Sequence, residues 1–267
     1  MKRSFGEALR SSERPRCAIV TGGSSGVGLA IVAALLKAHD PPIAKVFVTG
    51  RKPRADTTLD TLLKATPGAE SRVLYDSGDT SDAEVVSRQW SAALDHFEGA
   101  APSAIFLNAG IGGGRHALEA FDIERFDAIF RVNTRGRHAL WFKQALPALK
   151  AQPETSQIVV TSSVAALRGV PQGGPYAASK WAINGLVLSL REELKNSHPQ
   201  VKVGLVCPGP IATAWWDEFE RGGRGADAPP KPAQMLSAES VARACMSLYE
   251  QDETSNIEQV VLEPTLK

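Results

Sequence analysis

Cysteine is scarce: 267 residues hold three, Cys17, Cys207 and Cys245. None forms a Cys-x-x-Cys pair or joins a histidine at metal-ligand spacing, so neither a disulfide framework nor a zinc site can be built from them. They read as reduced, buried, small side chains. His116, His138 and the other histidines show no metal spacing either and are read as surface or capping residues. Surplus charge is missing as well, since 30 Lys and Arg offset 29 Asp and Glu for a formal net charge of +1. That excludes the basic field that a polynucleotide or an anionic membrane needs. No stretch approaches the roughly eighteen uninterrupted apolar residues of a membrane span, and residues 1–16 lack the apolar core of a secretory signal. A soluble, cytoplasmic chain is expected. Lys2, Arg3, Arg10, Arg14 and Arg16 give the first segment a faint presequence flavour, but Glu7 and Glu13 oppose it, and residues 1–14 are read as a flexible N-terminus.

What is present is alternation. Apolar runs at 17–20, 45–49, 72–75, 103–107, 157–161, 202–207 and 259–262 predict strands. Helical periodicity starts at Leu29 and recurs near 57–65, 82–97, 123–149, 175–196 and 238–250. With 43% hydrophobic residues, this pattern predicts an α/β fold: one domain over residues 15–267, with a doubly wound, mostly parallel sheet of about seven strands flanked by helices. Ligands of such sheets bind beyond the carboxyl ends of the strands. Residues 214–236 interrupt the pattern with Trp215, Trp216, Phe219, a glycine cluster and a proline cluster, and read as a substrate lid.

Two local patterns carry chemistry. Thr21-Gly22-Gly23-Ser24-Ser25-Gly26-Val27-Gly28 joins the first strand to the first helix. Glycines let the backbone approach a pyrophosphate, and a new helix offers unpaired N–H groups at its positive end, so this turn reads as half of a dinucleotide-binding unit. Tyr176 and Lys180 lie four apart on one helix, thirteen residues after Ser163 in a Ser162-Ser163 step. An ammonium beside a phenol is expected to lower its pKa toward neutral and fit it for proton transfer to a carbonyl oxygen. Ser162, adjacent to Ser163 and therefore facing the other side of its strand, is read as structural.

With these motifs the chain resembles the short-chain dehydrogenase/reductase family, whose fingerprint pairs T-G-x-x-x-G-x-G near the start with Y-x-x-x-K past the middle. Further landmarks follow in order over residues 15–263: Asp79-Thr80 for adenine, Asn108-Ala109-Gly110 beneath the cofactor, Asn133, and Pro208-Gly209 with Ile211 and Thr213 at the nicotinamide. The resemblance implies a Rossmann-like oxidoreductase. In it Tyr176 would be the general acid or base, Lys180 would bind the nicotinamide ribose, and Ser163 would orient the substrate oxygen. Asn133 would hold a water linking Lys180 to solvent. Gly22, Ser24, Ser25, Gly26, Val27 and Gly28 would cradle the cofactor.

The second strand ends Val48-Thr49-Gly50-Arg51-Lys52, without the carboxylate that binds a free ribose 2′-hydroxyl. Arg51 is placed to fork onto a 2′-phosphate, which points to NADP(H) rather than NAD(H). Val164, Ala165, Arg168, Trp215 and Trp216 are expected to line the substrate end, suiting an apolar or aromatic ketone or aldehyde. A pterin, steroid or acyl-thioester ketone is the specialised alternative, and a cofactor-binding regulator without turnover is the non-enzymatic one. Members of the family associate through the helices at 123–149 and 175–196. Here Trp141, Trp181, Leu186 and Leu190 are the candidate contacts of a homodimer or homotetramer.

Overall fold

The computed structural model describes residues 15–37, 42–216, 234–252 and 254–265. Seven strands, β1 (Arg16–Thr21), β2 (Ile43–Gly50), β3 (Val73–Ser77), β4 (Ala104–Leu107), β5 (Ser156–Thr161), β6 (Val201–Pro208) and β7 (Gln259–Leu262), pair in parallel in the order β3-β2-β1-β4-β5-β6-β7. The order reverses between β1 and β4, so a crevice opens beyond their carboxyl ends. The helices are α1 (Gly26–Leu36), α2 (Thr58–Ala65), α3 (Ala69–Arg72), α4 (Ala83–His96), α5 (Ile123–Phe130), α6 (Trp141–Ala151), α7 (Gly174–Leu194) and α8 (Ala238–Tyr249).

Because successive strand side chains face opposite ways, each central strand feeds two cores. Ala18 and Val20 join residues of α1, α2 and α8, while Cys17 and Ile19 join residues of α4, α6 and α7. Both faces are covered, which is why the central strands read as continuous apolar runs. All three cysteines are free and buried. No helix among the described residues is long and apolar enough to cross a membrane.

Three expectations change. The helix expected over 123–149 is interrupted, for Arg131–Leu140 between α5 and α6 is wound more widely, in π fashion. Gly136 there abuts the loop before α4 so closely that a Cβ would stand 2.6 Å from the Ser81 Cα and the Thr80 carbonyl oxygen. Trp141 and Leu190 belong to the core at 0% and 5% exposure and are not available as contacts, whereas Trp181 and Leu186 are exposed. His138 is neither a surface nor a helix-capping residue: it is fully buried on the wide turn, with Nδ1 against the Asn133 carbonyl. Of the expected lid, residues 217–233, including Phe219, lie outside the described residues.

Candidate active site

A cavity of about 610 Å³ lies over the carboxyl ends of the strands, where the sheet order reverses. Its floor begins with the glycine turn. Gly22 takes a positive φ of +66°, and a Cβ there would meet that of Ala109 at 2.8 Å. Gly28 packs on the Gly22 carbonyl, where a Cβ would approach to 2.2 Å, so it shapes the turn from below and does not line the cavity. Ser24, Ser25, Gly26 and Val27 do line it. The first turn of α1 contains no acid, and Ser25 makes no side-chain capping bond to it. Its positive end therefore faces the cavity, fit for a pyrophosphate.

At the β2 end, Arg51 is exposed and borders the cavity, with no carboxylate paired to it among the described residues. Arg54 differs, being held by Asp60 at 3.0 Å and Glu70 at 2.5 Å. Ser24 packs against Gly50, whose added Cβ would stand 2.8 Å from Ser24 Oγ. Both residues line the cavity, and the Ser24 hydroxyl is hydrogen-bonded to Tyr75. Asp79 lies just behind the lining, accepting from Ser81 N at 2.9 Å. Burial would raise its carboxyl, but the Ser81 hydrogen bonds with the charges of Arg137 and Arg131 hold it below the usual value. Thr80, Asn108, Ala109 and Gly110 line the middle of the cavity. Thr21 Oγ1 fixes that strand end by accepting from Asn108 N at 3.0 Å. Pro208, Gly209, Ile211 and Thr213 border the far end.

Ser163, Tyr176 and Lys180 meet on this surface. The expected lowering of the phenol is not found. Removal of the hydroxyl from water pushes Tyr176 up to about 12, outweighing its hydrogen bond with Ser163. The Lys180 ammonium stands 5.7 Å from the ring centroid and donates to the Thr161 carbonyl at 3.1 Å, turned to the strand rather than to the phenol. Lys180 is itself lowered to about 8, by burial first and then by the charge of Arg137. Ser162 donates to Asn184 Oδ1 at 2.7 Å and also touches the cavity.

Asn133 sits beneath the cavity, fully buried and outside its lining. Its side chain accepts from Ile111 N at 2.8 Å and donates to Ile111 O at 2.9 Å and Ser179 Oγ at 3.1 Å, and its carbonyl accepts from His138.

Around the reacting end, Val164 and Ala165 form a short turn held by Ala165 N donating to Ser163 Oγ at 3.1 Å. Trp215 lies against the Tyr176 ring, centroids 5.9 Å apart, with Trp216 edge-on behind it. Trp216 Nε1 donates to the Ile211 carbonyl at 2.8 Å. Arg168 borders the cavity, 62% exposed and paired with Glu263 at 2.6 Å. Arg115, Arg137 and Thr161 also border the cavity and were not anticipated. They belong to no short motif, and the fold alone gathers them. Among the described residues no cluster of three potential metal ligands occurs.

The geometry agrees with comparison to known proteins. A profile of the short chain dehydrogenase family matches residues 16–222. A versicolorin reductase of Emericella nidulans is 32% identical over 201 residues, 74% of this chain and 70% of that protein. The structure of an alcohol dehydrogenase from Thermococcus sibiricus, complexed with 5-hydroxy-NADP, matches with a TM-score of 0.75 at 27% identity over 93% of this chain and 96% of that one. A short chain dehydrogenase/reductase from Burkholderia phymatum in complex with NAD matches with a TM-score of 0.76 at 25% identity, over 93% and 89%. Sequence, sheet order and cavity agree that the chain belongs to the short-chain dehydrogenase family of oxidoreductases.

Proposed function

We propose that this chain reduces an apolar or aromatic ketone or aldehyde with NADPH. The observation that carries the reading is the meeting of Ser163, Tyr176 and Lys180 on one cavity wall, with the phenol held protonated at neutral pH. A protonated Tyr176 can give its hydroxyl proton to a carbonyl oxygen as negative charge develops there. Ser163 donates to the same oxygen and orients it. Lys180, on the turn after Tyr176, holds ribose hydroxyls and supplies positive charge nearby. Bound NADPH supplies the hydride. In the reverse direction Tyr176 would take the proton from an alcohol.

For the cofactor, the first turn of α1 bordering the cavity suits the pyrophosphate, and Arg51 suits a 2′-phosphate. For the substrate, Val164, Ala165 and Trp215 offer apolar and aromatic contact beside Tyr176. The test is direct: incubate the protein with NADPH and a panel of diketones, aldehydes and quinones, and follow the loss of NADPH absorbance. The Tyr176→Phe variant should bind NADPH almost unchanged yet lose at least about 10²-fold in turnover. Substantial activity in that variant sinks the mechanism. Tight NADPH binding with flat absorbance across the panel supports a regulator without turnover.

A further inference from the structure

We infer that His138 is a positioning residue for this site: by donating to the Asn133 carbonyl it fixes the wide turn at Asn133 and, through Asn133, the seats of Tyr176 and Lys180. The inference rests on the reductase reading above. His138 is 0% exposed and stands five residues after Asn133, the spacing that the π-wound segment brings into register with that carbonyl. A carbonyl can only accept, so the contact with Asn133 requires the proton on Nδ1, while the ring also faces the Leu107 carbonyl. The charges facing the ring are Lys180 from α7 and Arg137 from its own segment. Burial first, and then these cations, outweigh the contacts with the Asn133 and Leu107 carbonyls and push the imidazole down to about 3, leaving it neutral across the working range.

From Asn133 the linkage continues to both sides of the site. Its amide binds both backbone groups of Ile111, just past the Asn108-Ala109-Gly110 segment, and reaches Ser179 Oγ at 3.1 Å. Ser179 in turn donates to the Tyr176 carbonyl at 2.7 Å, and Thr134 Oγ1 donates to the Ser179 carbonyl at 3.4 Å. Ser179 directly precedes Lys180, so the turn of α7 bearing phenol and ammonium is tied twice to the wide turn that His138 braces. Relaxation of that turn to ordinary α winding would rotate Asn133 away from Ile111 and Ser179, and small misplacements of reacting groups are costly.

Three substitutions separate a donor at this position from a ring that merely fills space. His138→Asn places an amide N–H where Nδ1 is, His138→Gln places its amide where Nε2 is, and His138→Phe keeps an aromatic ring without a donor. With NADPH and the best carbonyl of the panel, kcat is followed against pH. His138→Gln and His138→Phe should lose about 10-fold or more in kcat with little change in substrate KM. Their alkaline limb should move upward as water reaches Lys180. His138→Asn should keep most activity and the original limb. Loss in His138→Asn equal to that in His138→Gln, or wild-type kcat and pH profile in His138→Phe, overturns the inference. Should His138→Phe fail to fold by circular dichroism, the Asn and Gln pair decides.

Nitrogen NMR of the unmodified protein reads the same point without turnover: Nδ1 should be protonated and Nε2 bare from about pH 5 to 9. The opposite tautomer, or titration near the ordinary value, overturns it. Failure of the reductase reading shows separately, as an inactive wild type or an active Tyr176→Phe.

Discussion

At the scale of single residues the site places positive charge where water is scarce. Lys180 is 4% exposed, and its pKa falls from 10.5 to about 8 because burial and Arg137 both disfavour the ammonium. A base whose pKa is lower in the folded than in the unfolded state penalises folding fully below the folded value. The penalty fades between about 8 and 10.5 and is gone above. Replacement by Met removes the charge at every pH. Lys180→Met should therefore abolish turnover, while the Tm of the wild type gains on that of the variant by a few degrees as pH rises from about 7 to 10. Paired melting curves across that range check this, and a pH-independent gap would contradict it. Arg51 is the opposite case, an exposed cation bordering the cavity without a carboxylate partner among the described residues. Arg51→Asp should raise the KM for NADPH by about 10-fold or more and improve use of NADH, since a charge-assisted phosphate contact is lost and an acceptor for a 2′-hydroxyl is gained. Equal use of both cofactors by the unmodified protein would count against the assignment.

At the scale of elements, the parts readable in the sequence are those whose geometry is local. A strand, a glycine turn and a helix follow one another in a few residues, so Gly22 to Gly28 announced their own structure, and the four-residue spacing put Tyr176 and Lys180 on one face of α7. Long-range packing decided the rest. Periodicity could not show the wide turn over Arg131–Leu140, where Gly136 lies against Thr80 and Ser81 from a distant loop. Nor could spacing tell that the Lys180 ammonium would turn to the Thr161 carbonyl, leaving the phenol pKa high. The paired tryptophans were visible as a feature, but the structure divides their tasks. Trp215 meets the Tyr176 ring, whereas Trp216 anchors to the Ile211 carbonyl. Trp215→Ala should accordingly raise KM for bulky aromatic ketones more than for small aliphatic ones, by roughly 1–3 kcal/mol of lost apolar contact. Trp216→Ala should act first on the cofactor KM. Steady-state kinetics with two ketones of different size separate these outcomes, and an unchanged substrate ranking in Trp215→Ala would remove Trp215 from the substrate site.

At the scale of the whole molecule, the sheet is sealed on both faces, yet α7 keeps apolar surface that neither core uses. Its inner side contributes Ile183, Val187, Leu190 and Leu194 to the core. Trp181 and Leu188, seven residues and about two turns apart, share an outer face at 53% and 54% exposure. Large apolar side chains aligned along a helix rim the kind of patch that another protein surface covers. A helix offering the same stripe in every copy can pair about a two-fold axis, so the chain is expected to form a homodimer or a homotetramer. The contact would lie on the outer side of the helix that carries Tyr176 and Lys180, and would brace it against rotation. Light scattering at micromolar concentration should give a mass of two or four chains, and Trp181→Glu should lower it by placing a charge on the stripe. A monomeric mass for the unmodified chain would refute the assembly, and an unchanged mass in Trp181→Glu would move the contact away from α7.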